Sequence, residues 1–104
     1  MSADQPVILV VHSDAWVRDE LAERIREWSD RDFVVLAASS EKDAWNAISG
    51  KLGEVEEWLS IIICDDNLSD GAGEDFLLIL HSHYPRIAKA LITASPGRQR
   101  SSQA

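Results

Sequence analysis

Asp65 closes the strongest strand signal in the chain, Ile61-Ile62-Ile63-Cys64, and is followed at once by Asp66 and Asn67. A carboxylate held at the end of a buried segment can attack phosphorus and form an acyl phosphate. Two further polar groups end apolar runs in the same way: His12, Ser13 and Asp14 after Val7 to Val11, and Thr93 near the end of Ala88 to Ala94. Cys64 is the only cysteine, which excludes an intramolecular disulfide and a multi-cysteine metal site. Its apolar neighbourhood raises a thiol's pKa and makes Cys64 an inert core residue.

These ends must be brought together by regular elements. Val7 to Val11 reads as a strand buried on both faces, as in a parallel sheet. Val17, Leu21, Ile25 and Trp28 then recur at helical spacing, with Ser13 or Asp14 available as the cap. Phe33 to Ala38 predicts a second strand. Ser40 with Asp43 resembles a capping box ahead of a short helix bearing Ala44, Trp45 and Ile48 and ending at Gly50. Lys51 to Leu59 is a connector with one or two helical turns, and Ile61 to Cys64 is the third strand. Gly71 and Gly73 punctuate a loop, after which a helix runs from Glu74 to the stop at Pro85. Ala88 to Ala94 makes a fourth strand. The order βαβαβαβ implies an α/β, doubly wound parallel sheet with helices on both faces. Ligands in such sheets bind beyond the carboxyl ends of the strands, near the switch in strand order, where the three polar groups fall.

Composition narrows the function. A chain of 104 residues supports one domain, placed at residues 1–95 with a polar tail at 96–104. The net charge of -8 argues against direct nucleic-acid binding, which rests on Lys and Arg, and two of the ten basic residues, Arg98 and Arg100, sit in the tail. The apolar run near the N-terminus is too short for a signal peptide or a membrane span, so a cytoplasmic protein with no membrane contact is expected. The tryptophans, Trp16, Trp28, Trp45 and Trp58, fall on separate segments, as packing or partner-surface residues do. His81 and His83 read as surface residues of their helix.

Competing motifs fail on particular residues. A haloacid-dehalogenase-type nucleophile loop needs an acid two residues after Asp65, where Asn67 stands. An EF-hand starting at Asp65 has Asp70 where its turn glycine is required. No Walker-type or dinucleotide-binding glycine pattern is present.

The string ICDDNLSDGAGEDFL, together with LITAS at the fourth strand, resembles the receiver domains of two-component response regulators. The resemblance covers residues 7 to about 95 and implies the flavodoxin-like receiver fold. It implies Asp65 as phosphoacceptor, Asn67 as the backbone carbonyl donor to a metal, Leu68, Asp70, Gly71 and Gly73 as the following loop, and Thr93 as the switch hydroxyl. Ser69 stands where proline is usual. The implied cofactor is Mg2+, held by Asp65, Asn67 and two acids ending the first strand. Here the register set by Ile8 to Val11 and by Arg18 puts His12 and Ser13 in the acidic-pair positions, with Asp14 following, so a weakened Mg2+ site is expected. The fifth strand with its phosphate-binding lysine, and the fifth helix, have no counterpart in SPGRQRSSQA.

The implied function is a non-enzymatic, bacterial-type signalling module: it accepts a phosphoryl group on Asp65 from a sensor histidine kinase or phosphotransfer protein and signals through partner binding. The alternative is a phosphorylation-independent pseudo-receiver acting as an interaction or dimerisation module. A homodimer through Ile87 to Ile92 is the self-association expected of an exposed edge.

Overall fold

The computed structural model describes residues 5–30, 32–50 and 54–93. Its main sheet holds β1 (Val7–Val11), β2 (Val34–Ala38), β3 (Leu59–Asp65) and β6 (Ala88–Ile92), all parallel, in the order β2-β1-β3-β6. A two-stranded antiparallel hairpin, β4 (Asn67–Leu68) with β5 (Gly71–Ala72), follows β3. The helices are α1 (Ala15–Trp28), α2 (Glu41–Ser49), the single turn α3 (Val55–Trp58) and α4 (Gly73–His83).

The chain runs from β1 to β2 on one side and then to β3 on the other, so the switch in strand order lies between β1 and β3. These are also the most buried strands, and every residue of β1 is buried. Alternation divides the core in two. Ile8 and Val10, with Val35, Ile61 and Ile63, meet Leu21, Ala22 and Ile25 of α1 on one face. Val7, Leu9 and Val11, with Leu59, Ile62 and Cys64, meet Ala44 and Ile48 of α2 and Phe76, Leu77 and Leu80 of α4 on the other. Trp45 closes that layer edge-on against Phe76, ring centres 5.3 Å apart.

β3 begins two residues before the expected Ile61, and the register explains why. Val7 pairs with Leu59 and Ile8 with Ile61, so Ser60 is an extra residue in a bulge. Leu59 and Ile62, three apart, therefore share a face. The other expected boundaries move by one or two residues: β2 starts at Val34, α4 at Gly73, and β6 ends at Ile92 with Thr93 just beyond it. The expected loop at Gly71 is the hairpin β4–β5. Part of the connector at 51–53, Ala94 and the tail 96–104 lie outside the described residues.

Caps match the residue types. Asp14 accepts the Val17 N–H at 3.1 Å to start α1, and Ser40 accepts the Asp43 N–H at 3.1 Å to start α2. The Asp43 carboxylate takes a hydrogen bond from the Ser39 hydroxyl. Among the described residues β6 is an edge strand of the four-stranded sheet, and no helix is long and apolar enough to cross a membrane.

Candidate functional site

Asp65 is the last residue of β3 and is 6% exposed. Burial of a carboxylate this complete is costly unless its oxygens find partners. One oxygen, Oδ1, is buried with no hydrogen-bond partner among the described residues, and the other, Oδ2, lies 3.8 Å from Nε2 of His12. The acid thus lies at the carboxyl end of the sheet, beside the switch point, with one oxygen enclosed and unpartnered among the described residues.

Its position is fixed from three sides. Parallel pairing of β3 with β6 sets Asp65 opposite Ile92, and the Asp66 N–H continues the ladder to the Ile92 carbonyl at 2.9 Å. Thr93 follows directly and is half-buried at this end of the sheet. From the hairpin side, the Gly73 N–H donates to the Asp66 carbonyl at 3.1 Å. A Cβ on residue 73 would lie 1.9 Å from the Asp65 carbonyl oxygen, so only glycine lets α4 begin this close to the acid.

His12 follows β1, its N–H bonded to the Ala38 carbonyl of β2 at 3.0 Å. Its Nδ1 accepts the Asp14 N–H at 3.1 Å. An accepting Nδ1 carries a lone pair, which leaves the ring hydrogen on Nε2, facing Asp65. Arg18 bonds the His12 carbonyl at 3.5 Å and lies 3.5 Å from Asp19.

The expected metal ligands are dispersed among other tasks. Ser13 Oγ accepts the Ser69 N–H at 2.8 Å, tying the end of β1 to the hairpin turn. A proline at 69 would have no N–H to give, so this bond requires a residue other than the proline of the receiver pattern at that position. The Asp14 carboxylate is engaged at the start of α1 and is exposed. Asn67 is exposed in β4, paired with Ala72. Among the described residues no three His, Cys, Asp or Glu side chains gather as a metal centre requires. Mg2+ needs several hard oxygen ligands in octahedral array, and the described residues gather no such set around Asp65; they do not fit the ion.

The cap made by Asp70 escapes the sequence, whereas the buried thiol of Cys64 was expected from it. Asp70, matched above only as a loop position, accepts the N–H groups of Glu41 and Lys42 at 2.9 and 3.0 Å, a second cap on α2 from a residue far along the chain. These bonds hold its carboxyl below the usual carboxylate range. Cys64, one residue before the acid, is fully buried; burial first, and the Asp65 charge second, push its thiol up to about 12. His81 and His83 are exposed on α4, away from these contacts.

No protein-family model matches the chain, and no curated protein does. Solved structures do. The chain is similar to the non-phosphorylated HemR receiver domain from Leptospira biflexa, at 22% identity and a TM-score of 0.68 over 95% of this chain and 75% of that one. It is similar to a response regulator receiver protein from Pseudomonas putida, at 15% identity and a TM-score of 0.73 over 97% and 78%. The MaeR response regulator bound to beryllium trifluoride gives 21% identity and a TM-score of 0.73 over 95% and 75%. The strand order, the flanking helices and these likenesses agree: the chain has the flavodoxin-like fold of response regulator receiver domains.

Proposed function

We propose that the chain is a two-component receiver module that accepts a phosphoryl group on Asp65 from a sensor histidine kinase or a phosphotransfer protein. Thr93 supplies the switch hydroxyl, and the output is a changed partner-binding surface rather than turnover of a substrate. The observation that carries this reading is Asp65 itself: a buried carboxylate at the end of β3, beside the strand-order switch, with one oxygen that has no partner among the described residues. The lone buried thiol, Cys64, suits a reducing cytoplasm.

Phosphorylation would add about -1.5 to -2 charges next to Asp66, and nearby backbone would have to readjust. A surface able to report such a change lies on the α1 side, where Trp16 is 74% exposed and Val17, Leu21 and Ile92 line a shallow cavity of about 310 Å³ with Glu20 and Arg24. A second copy pairing along the β6 edge is the self-association this reading allows.

A phosphorylation-independent interaction module is the second reading, favoured by the commitment of Ser13 and Asp14 to structural bonds. One experiment separates the two: intact-mass analysis after incubation with acetyl phosphate and Mg2+. The first reading expects gain of one phosphoryl group, absent in Asp65→Asn. The second expects no gain.

A further inference from the structure

Among the described residues the pocket around Asp65 lacks the ligands for Mg2+ but does not lack a donor. His12 occupies the first of the two positions where an acidic pair would hold the metal, and its ring is oriented rather than loose: the Asp14 N–H fixes Nδ1 as acceptor, and the main chain of residue 12 is anchored through Ala38 and Arg18. The Nε2–H therefore faces the acid from a fixed base. At 3.8 Å, Nε2 is beyond hydrogen-bond reach of Oδ2, so this hydrogen is not spent on the carboxylate. An oxygen brought onto Asp65 would come within its range.

We propose, on the reading that Asp65 is the phosphoacceptor, that His12 replaces the divalent cation, and that the chain takes up a phosphoryl group without metal. In the step itself an Asp65 carboxylate oxygen attacks the phosphorus of acetyl phosphate. The new O–P bond forms as the bond from phosphorus to the acetyl oxygen breaks, and acetate leaves with the electron pair. Throughout, the His12 Nε2–H donates a hydrogen bond to a phosphoryl oxygen, and no proton changes owner. A preorganised donor aimed at developing negative charge in a largely buried site performs the task that a bound cation performs elsewhere. His12 is thereby a catalytic residue, since its hydrogen touches the transferred group.

The test follows labelling of the whole chain by acetyl phosphate, read by intact mass, in excess EDTA and in excess Mg2+. The expected result is the same rate in both. His12→Ala should slow labelling about a hundredfold, and His12→Gln, which keeps an N–H near the place of Nε2, should restore much of it. Thermal melts report whether each variant is folded, and the parent's metal dependence decides the matter without any variant. Labelling that requires Mg2+ overturns the inference and leaves Asp65 as phosphoacceptor. Equal labelling of folded His12→Ala and the parent overturns it too. No labelling under either condition removes the reading of Asp65, and the role of His12 with it.

Discussion

Gly73, the first residue of α4, packs against the main-chain carbonyl of Asp65 so tightly that a Cβ would stand 1.9 Å from the oxygen. The helix start and the candidate acceptor are therefore locked together, and the Asp65 carbonyl carbon at 2.9 Å and Cys64 Sγ at 3.0 Å crowd the same Cβ position. Gly73→Ala should lower stability by at least about 2 kcal/mol, the usual scale of overpacking. Urea unfolding checks this. A variant as stable as the parent would show that α4 starts elsewhere.

Asp70 makes stability depend on acid. Its carboxyl is held below the usual range by the N–H groups of Glu41 and then Lys42. A depressed carboxyl contributes stability that is fully present above its unfolded value, near 3.9, and is lost as pH falls through the folded value. Asp70→Asn should thus be less stable than the parent at neutral pH, and the gap should narrow as pH drops below about 4. Melting temperatures from neutral pH into the acid range provide the measurement, and a constant gap would contradict the cap.

Cys64 acts at the other end of the scale. Its thiol, pushed up to about 12 by burial and then by Asp65, stays protonated in the fold when an unfolded thiol has ionised. The contribution is fully present below the unfolded value, near 8.5, and falls by up to about 1.4 kcal/mol per pH unit from there toward the folded value. Cys64→Ala should flatten the alkaline loss of stability relative to the parent. Equal losses would place the thiol in solvent.

Fold and site were legible in the sequence to different depths. Runs such as Val7 to Val11 and Ile61 to Cys64 announce buried parallel strands because nothing polar interrupts them, and the polar residues that end them mark the pocket. The Ser60 bulge left no such mark, since a shift of pairing by one residue depends on the partner strand. Long-range bonds were equally silent. That Ser13 and Ser69 form a pair across the pocket, or that Asp70 caps a helix begun at Glu41, follows only once β1, α2 and the hairpin are placed. Gly73 could be read as a breaker, but its contact with Asp65 required the geometry.

Restoring the acids should restore the ion. The double variant His12→Asp with Ser13→Asp would add two hard oxygen donors at the end of β1, beside Asp65, and give up the Ser13–Ser69 bond. Calorimetric titration with Mg2+ should detect binding in the double variant and much weaker binding in the parent. A double variant that binds no better than the parent contradicts the placing of residues 12 and 13 at the pocket.

The claim at the centre is covalent and local: Asp65 takes the phosphoryl group. Borohydride reduces an aspartyl phosphate to homoserine, so treatment of the acetyl-phosphate-labelled chain followed by peptide mapping reads the modified position directly. Homoserine at position 65, with Asp66 and Asp70 unchanged, is the result this account predicts. Labelled protein in which residue 65 remains aspartate, with the modification on another side chain, would contradict it.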